Sequence, residues 1–420
     1  MPARRLAPLL LSLSLLTPGA ATAAAPRYYD VAYRAHFRPE AGVVDVEIAL
    51  TGERLPSRIV LHVDARRHKK FTSTDPLQIE PSHVTWQPKG HNSRLRYEFL
   101  VDHERSPQHY DSRMTGDWAI FRAEKMVPRA SVTARKSLHS RATLEFQLPK
   151  EWTAATPYGS VGDLRYPIDD PTRRFDQPEG WMLVGKIGSR NEKIGSVRVV
   201  VAAPAGDNVR RQDTLAFLKF TLPRLEETFP HLPPRLLIVS AGDPMWRGGL
   251  SGPSSMFLHS DRPLISENRT STLLHELGHI ALGIRGDEES DWIVEGLAEL
   301  YSLETLRRSG GISEQRYKQA LKHLSQWAQR STTLFGSYSN GATTARAVVA
   351  LRAADAEIRS VTGGKASLDD VARKLASERG TVSLVRLQKA AQEVAGRPLH
   401  SLEREQLSKP VSAPTAAREG

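Results

Sequence analysis

The apolar residues of this chain change their spacing at about residue 205, and this change restricts the folds open to it. Before that point, short runs of alternating apolar and polar residues, such as 43–50 and 57–63, are separated by Pro, Gly, Asn and Asp. After it, apolar residues recur at helical spacing over long segments. We therefore predict an α+β fold, in which an N-terminal β-sandwich-like domain precedes a helix-rich domain.

The same patterns locate the individual elements. Strands are also predicted at 95–101 and 142–148, and segment 181–187 is predicted to form a hairpin with 196–202 that turns at 188–191. Two short buried strands are predicted in the second half, at 235–240 and 256–258. Helices are predicted there at 213–228, 270–282, 290–308, 313–330, 342–361, 368–377 and 384–394.

The length of the chain indicates more than one domain, because 420 residues exceed what a single hydrophobic core usually serves. The change of pattern places the β-rich domain at 26–205 and the helix-rich domain at 206–400. Residues 401–420 are predicted to form a polar tail, since the chain from 409 onward is polar and contains Pro and Ala.

The N-terminus has the three parts of a secretory signal. Arg4 and Arg5 precede the apolar run 6–16, and small residues follow, with an A-x-A cleavage site at 23–25. The apolar run is too short to cross a bilayer as a helix, and no later segment is apolar enough to do so. We therefore predict that residues 1–25 are a signal peptide. The mature chain is expected to have no transmembrane segment and to be periplasmic or secreted.

Charge and cysteine content limit the possible partners and sites. The net charge is +11, but the basic residues are scattered apart from the run 66–70, so no nucleic-acid partner is predicted. We interpret the surplus as a solvated basic face, with contact to anionic lipid or polysaccharide left open. Because the chain has no cysteine, it has no disulfides, and any zinc site must use His and carboxylate side chains.

The segment 275–279, HELGH, is the strongest chemical signal in the sequence. Residues four apart lie on one face of a helix, so the imidazoles of His275 and His279 can reach one tetrahedral cation. The carboxylate of Glu276 lies beside that face, where it can take a proton from an attacking water. A pair of partly buried structural histidines is the alternative interpretation of the pentapeptide alone.

The next helix supplies a third donor. Glu295 lies in an otherwise apolar half-turn, where a buried charge is costly unless it is paired or bound to a metal. Fifteen residues separate it from His279, which is enough to end one helix, turn and return antiparallel. Glu295 can then complete a His2Glu site with one open position, as catalytic zinc requires. Glu299, one turn further, is a candidate acceptor for the second ring nitrogen of a ligand histidine; a solvated helix acid is the alternative.

HELGH followed by W-x-x-E-G-x-A-E at 292–299 resembles the gluzincin metallopeptidases. The glycyl aminopeptidase family is the most similar, with T-G-G-K-x-S-L-D-D-V at 362–371 and a similar final turn at 395–399, and the aminopeptidase N family is more distant. The resemblance covers about 206–400. It implies a thermolysin-like zinc peptidase domain with about one zinc per chain and peptide or protein substrates; the ligand types also accept cobalt or manganese.

Segment 335–341 resembles the S-Y-x-x-G segment of these families. The resemblance implies that Tyr338 hydrogen-bonds the developing oxyanion, whereas by itself this residue would be interpreted as a core or surface aromatic. Glu276 would then deliver to the leaving amine the proton it has taken from water.

The predicted substrate-binding strand departs from both families. Glycyl aminopeptidases have G-G-L-E-H here and the aminopeptidase N family has G-x-M-E-N, with a glutamate that helps to bind the substrate's free amino terminus. This chain has Gly248, Gly249, Leu250 and Ser251, so a serine stands where the acid is expected. We therefore expect an endopeptidase or an enzyme of relaxed specificity.

Two other functions are left open by the sequence. A strict aminopeptidase would need another acid, and Asp243, Asp261 and Glu267 are near in sequence. A non-catalytic binding protein of the cell envelope with the same fold would have no reason to keep the catalytic residues together. The physiological substrate and the oligomeric state do not follow from the sequence.

Overall fold

The structure is a computed structural model that describes residues 27–168 and 174–411. The predicted signal peptide at 1–25 and the last part of the predicted tail, 412–420, lie outside these ranges and stay predictions. Among the described residues, no helix combines the length and the apolar character needed to cross a membrane.

The strands are numbered in chain order. They are β1 (Arg27–Arg38), β2 (Val43–Thr51), β3 (Arg58–His62), β4 (His68–Ser73), β5 (Leu77–Ile79), β6 (His83–Trp86), β7 (Asn92–Leu100), β8 (His103–Ser106), β9 (His109–Met114), β10 (Trp118–Arg122), β11 (Ala130–Thr133), β12 (Leu138–Gln147), β13 (Thr153–Ala155), β14 (Arg165–Ile168), β15 (Trp181–Gly185), β16 (Ile187–Ile194), β17 (Val197–Pro204), β18 (Arg235–Ala241), β19 (Gly249–Gly252), β20 (Ser255–His259), β21 (Ile284–Gly286) and β22 (Gly380–Val382).

Helices dominate the second half, as predicted. They are α1 (Ala123–Met126), α2 (Arg211–Thr228), α3 (Thr272–Leu282), α4 (Asp291–Arg308), α5 (Glu314–Ala328), α6 (Gly341–Val361), α7 (Leu368–Glu378), α8 (Leu384–Ala395) and α9 (Arg404–Ser408), with short 3-10 helices at Pro39–Ala41 and His400–Leu402. The predicted helices correspond to α2 through α8, with ends that differ by at most two residues.

Three sheets form the β-rich part. Their strand orders are β14-β12-β1-β2-β7-β4, β11-β3-β6-β5 and β13-β15-β10-β9-β8. Alternate residues of β1 are buried, among them Tyr33 and Phe37, because successive side chains of a strand point to opposite faces. The ring of Phe37 lies 5.4 Å from that of Phe121 in β10. Two sheets therefore share one core across their inner faces, which supports the sandwich-like interpretation.

A five-stranded mixed sheet, β16-β17-β18-β20-β19, lies between this β-rich part and the helices. One face of it, with Ile238 and Met256, packs in a single core with the apolar faces of the helices. The other face, with Val239 and Phe257, packs on Leu183 of β15. Strand β19 is antiparallel to β20 and forms one edge of the sheet. This arrangement leaves β19 next to α3.

The predicted hairpin between 181–187 and 196–202 is wrong. Strand β15 pairs with β10 and β13, whereas β16 begins at Ile187, runs through the predicted turn and pairs with β17. The turn lies between β16 and β17, where Gly195 has a left-handed φ of 57°. Residues 188–191 are polar because β16 is a solvent-facing edge strand, and the chain does not turn there.

Pairing and burial also bear on the predicted domain bounds. The hairpin of β16 and β17 pairs with β18 and so belongs to the sheet of the helix-rich part, although the predicted boundary places it before residue 206. The predicted tail begins too early at 401, because Leu402 and Leu407 are buried and the buried Arg346 donates to the carbonyl oxygens of Leu407 and Lys409. The other bounds stay predictions.

Candidate metal centre

Helix α3 places the two predicted histidine ligands on one face. It begins after Ser271, whose hydroxyl accepts a hydrogen bond of 3.3 Å from the Leu274 N–H, and it ends at Gly283, whose φ of 59° is left-handed. Buried leucines hold its opposite face in the core. The rings of His275 and His279 lie one turn apart, with centroids separated by 4.8 Å.

The three predicted ligands converge on one point. His275 Nε2 lies 3.2 Å from His279 Nε2, and Glu295 places one carboxylate oxygen 3.3 Å from the first nitrogen and the other 3.4 Å from the second. One donor atom from each residue lies within 4.8 Å of the other two. Close packing of α3 on α4 makes this possible, because a Cβ at Gly278 would come within 3.1 Å of the Ala298 Cα. The antiparallel return predicted from the sequence is thus observed.

The protonation behaviour of the cluster reflects burial and close contact. Burial would lower the pKa of His275, but hydrogen bonds to Glu295 and Glu299 outweigh burial and hold that pKa well above its usual value. Burial and the charge of His275 lower the pKa of His279. Burial would raise the pKa of Glu295, but the hydrogen bond from His275 and the charge of that ring lower it. A neutral His279 and an ionised Glu295 are the states in which these groups bind metals, whereas His275 must give up one proton to a bound cation.

Glu299 contacts the outer nitrogen of a predicted ligand. His275 Nδ1 donates to Glu299 Oε2 at 2.9 Å, which keeps a proton on Nδ1 in the neutral ring and directs Nε2 at the cluster. The carboxylate of Glu299 is only 13% exposed. The alternative interpretation of Glu299 as a solvated helix acid is therefore wrong.

Glu276 lies between the metal cluster and the edge of the sheet. Its side chain is 8% exposed, and strand β19 crosses directly over it. A Cβ added at Gly249 would come within 2.6 Å of the Glu276 Cγ and 2.8 Å of the Thr272 Cγ2. Glycine at 249 is therefore required for the strand to approach this carboxylate, and the predicted substrate-binding segment lies next to the predicted base.

The other residues of the predicted substrate-binding segment lie on the same strand. Leu250 pairs with Phe257, and Ser251 pairs with Met256. Gly248 precedes the strand and accepts a hydrogen bond of 3.0 Å from the His259 N–H. Ser251 thus occupies the edge strand of the sheet.

The three acids considered as replacements for the missing glutamate are placed differently. Asp243 forms two contacts with the Arg247 guanidinium, and the hydrogen bonds from Arg247 lower its pKa. Its charge is therefore already neutralised by a neighbour. Asp261 has a 73% exposed side chain that faces His259. Glu267 is exposed and has no ion pair within the described ranges 27–168 and 174–411.

The segment that contains Tyr338 approaches the centre through its backbone. The Ser339 N–H donates to Asp291 Oδ2 at 2.7 Å, and Asp291 is in the first turn of α4, one turn before Glu295. The Tyr338 side chain is 78% exposed, and its hydroxyl makes no hydrogen bond to any residue that the structure describes. Its predicted role as oxyanion donor stays a prediction.

Sequence reasoning missed two residues that shape this centre. Asp291 accepts a hydrogen bond from the backbone N–H of Ser339, and its charge also acts on His279. The sequence signal for it was an acidic residue directly after Ser290, at the start of a predicted helix. Gly278 allows the close approach of α3 and α4. An isolated glycine inside a predicted helix was the signal for this contact.

Comparison with known proteins establishes the fold. No protein-family model and no curated protein matches the sequence. An aminopeptidase N family protein from Idiomarina loihiensis matches in structure with a TM-score of 0.63 at 14% identity, over 83% of this chain and 70% of that chain. An M1 zinc metallopeptidase from Deinococcus radiodurans matches in two structures, both at 16% identity. One has a TM-score of 0.59 over 94% of this chain and 95% of that chain, and the other has 0.54 over 92% and 96%.

These likenesses confirm the gluzincin type of fold predicted from the sequence. The finer likeness to the glycyl aminopeptidases stays a prediction. The chain is a mixed α and β protein with the fold of the zinc metallopeptidases of the aminopeptidase N family.

Proposed function

We propose that this protein is an exported, zinc-dependent metallopeptidase that hydrolyses peptide bonds as an endopeptidase or with relaxed specificity. The observation that carries the proposal is the convergence of His275, His279 and Glu295 beside Glu276, directly under the edge strand β19. The fold shared with zinc metallopeptidases adds support. The proposed location, periplasmic or secreted, rests on the N-terminal signal sequence alone.

The donor set fits zinc. Two imidazole nitrogens and a carboxylate approach one point from one side, and the hydrogen bond to Glu299 fixes the tautomer of His275. His275, His279 and Glu295 would hold about one zinc ion per chain, with one position left for water or substrate. Zinc bound there supplies Lewis acidity that polarises a carbonyl and lowers the pKa of water.

The protein's own groups account for binding and proton transfer. A substrate in extended conformation pairs with β19, the strand that lies against Glu276. Glu276 takes a proton from the attacking water and gives it to the leaving amine. The hydroxyl of Tyr338 donates a hydrogen bond to the developing oxyanion, which requires its exposed side chain to turn toward the bound peptide.

The charges around β19 favour internal cleavage. Ser251 cannot offer a counter-charge to a substrate ammonium group, and Asp243 is already paired with Arg247. A free amino terminus would therefore lose hydration at this strand without gaining an ion pair. A strict aminopeptidase, with Asp261 or Glu267 as the acid, and a non-catalytic binding protein of the envelope are the alternatives.

The test is cleavage of a peptide mixture by the purified mature protein loaded with zinc. Half of the peptides have free amino termini and half are acetylated, and mass spectrometry identifies the products. Internal cuts in acetylated peptides are expected. Trimming of free peptides alone would replace the proposal by a strict aminopeptidase, and no cleavage despite bound zinc would favour the binding protein.

A further inference from the structure

A polar cavity lies between the segment before α3 and the end of α5. It has a volume of about 370 Å³ and is lined by Asn268, His323, Gln326, Trp327 and Arg330. The first of these residues precedes α3, and the others belong to the end of α5 and the turn after it. Among the residues that the structure describes, no acidic one lines the cavity.

Trp327 forms an aromatic wall of this cavity. Its side chain is 40% exposed, which is unusual for tryptophan. One side of the ring packs directly on Gly341, where a Cβ would come within 2.2 Å of the Trp327 Cη2. An exposed face on a large aromatic ring that packs on the other side favours contact with a ligand.

The cavity offers hydrogen-bond donors and a positive charge without a counter-charge. The guanidinium of Arg330 makes no ion pair and no hydrogen bond with residues 27–168 or 174–411. By contrast, Arg307 and Arg308 on α4 are both paired with Glu304. Asn268 and Gln326 add amide donors around the same space. An unpaired guanidinium with amide donors beside it matches the chemistry of a carboxylate.

The cavity is connected to the metal centre through one short segment. Trp327 contacts Gly341, and two residues earlier the Ser339 N–H donates to Asp291. Asp291 lies one helical turn before Glu295. The path through these contacts is on the order of 15 Å, which limits the separation between the cavity and the metal ligands. An extended peptide rises about 3.3 Å per residue, so the cavity lies within about five residues of the scissile bond.

We propose that this cavity binds a carboxylate of the substrate, supplied either by an Asp or Glu side chain or by the C-terminus, and that Arg330 and Trp327 therefore determine specificity. The proposal rests on the peptidase function proposed above. Arg330 pairs with the carboxylate, while the Trp327 ring packs against the neighbouring apolar part of the peptide. Peptides with an acid within about five residues of the cleaved bond are the preferred substrates.

The test measures binding and cleavage separately. Acetylated peptides of one sequence are made in pairs, with Asp or Asn at successive positions and with a C-terminal carboxylate or amide. Calorimetry gives Kd for zinc-loaded Glu276→Gln protein, and mass spectrometry gives relative kcat/KM for the active protein. Arg330→Gln is placed in both backgrounds. Lys322→Gln is the matched control, because it removes an exposed charge on α5 outside the cavity.

We expect one acidic peptide of the series to bind about tenfold more tightly than its uncharged twin. In Arg330→Gln this ratio falls toward one, and in Lys322→Gln it is kept. The position of the preferred Asp, or loss of preference on amidation, identifies the source of the carboxylate. Equal binding of both twins, or a preference that survives Arg330→Gln, overturns the proposal. Cleavage without any preference for acidic peptides would refute the proposed role of the cavity but not the peptidase function. Selective binding without cleavage would refute the peptidase function but not the role of the cavity.

Discussion

His275 Nδ1 donates a hydrogen bond of 2.9 Å to Glu299 Oε2, while Nε2 of the same ring points at His279 and Glu295. The carboxylate thus selects the tautomer that a metal ligand needs. Glu299→Ala is expected to weaken zinc binding by about 10- to 100-fold, as measured by competition with a chelator. Glu299→Gln keeps an acceptor oxygen and should therefore lose less zinc affinity than Glu299→Ala. Equal zinc affinity in Glu299→Ala and the unaltered protein would contradict the role of this contact.

Glu276 is expected to act only in proton transfer. Glu276→Gln should lower kcat by about 10²- to 10⁴-fold, because the amide cannot accept a proton, while metal analysis still finds about one zinc per chain. Glu288→Gln makes the same chemical change at an exposed site between α3 and α4 and should leave both readouts unaltered. Retained activity in Glu276→Gln would contradict the role of Glu276 as the general base.

The approach of β19 to α3 leaves no space for a side chain at 249. In Gly249→Ala, the new methyl group would meet the Glu276 Cγ at 2.6 Å, so the strand or the carboxylate must move. A displacement of about 1 Å can lower kcat on the order of 10²-fold. Steady-state kinetics provides the measurement. Gly159→Ala is the control, since a Cβ there meets no atom within 4 Å, and a similar loss in both variants would point to a general effect of alanine.

The clustering of His275, His279 and Glu295 could be predicted from the sequence because it depends on local geometry. The spacing of His275 and His279 fixes their common face, and a buried acid such as Glu295 requires a partner. The helices were also predictable, since their apolar period extends over several turns. The position of Tyr338 relative to the centre could not be predicted in this way, because it depends on a contact between a loop amide and Asp291.

The errors of the sequence-based predictions also have physical causes. The polar residues 188–191 have the composition of a turn, but they form a solvent-facing edge strand. The predicted tail was begun too early because the segment after 400 is polar in composition. This segment is attached to the helices by two buried leucines and by Arg346. Burial of Arg346 was hard to predict, because arginine is rarely buried.

Arg346 connects the end of the described chain to the helices through hydrogen bonds. It is 2% exposed and donates to the carbonyl oxygens of Ser331, Leu407 and Lys409. Arg346→Ala leaves these acceptors without their donor, so we expect the free energy of unfolding to fall by about 3 kcal/mol, measured in urea. Arg352→Ala, at an exposed site on the same helix, is expected to change it by less than about 0.5 kcal/mol. Equal values for the two variants would contradict this account.

Burial of His68 makes the β-rich part sensitive to acid. Its Nε2–H donates to the Lys125 carbonyl oxygen at 2.9 Å, its Nδ1 accepts from the Asp64 N–H at 3.2 Å, and burial lowers its pKa from the usual 6.5. The unfolded chain therefore binds the proton more strongly. Stability is full above pH 6.5 and decreases as the pH falls from there toward the lower folded-state pKa.

Urea unfolding at pH 7.5 and pH 5.5 measures this effect of His68. His68→Gln keeps an N–H for Lys125 but cannot be protonated, so the difference between the two pH values should become smaller in this variant. The same difference in the variant and in the unaltered protein would show that other groups cause the acid sensitivity.

Strand β19 has a strand neighbour on one side only among the described residues. A chain that joins it must expose its own backbone N–H and C=O groups over several consecutive residues. Helices and interior strands of native proteins do not expose these groups, because they are already hydrogen-bonded. Such an edge strand therefore selects a partner chain first by whether its backbone is exposed, and only then by its amino-acid sequence. If the proposed function holds, unfolded or locally opened polypeptides are the expected substrates, and compact native proteins are spared.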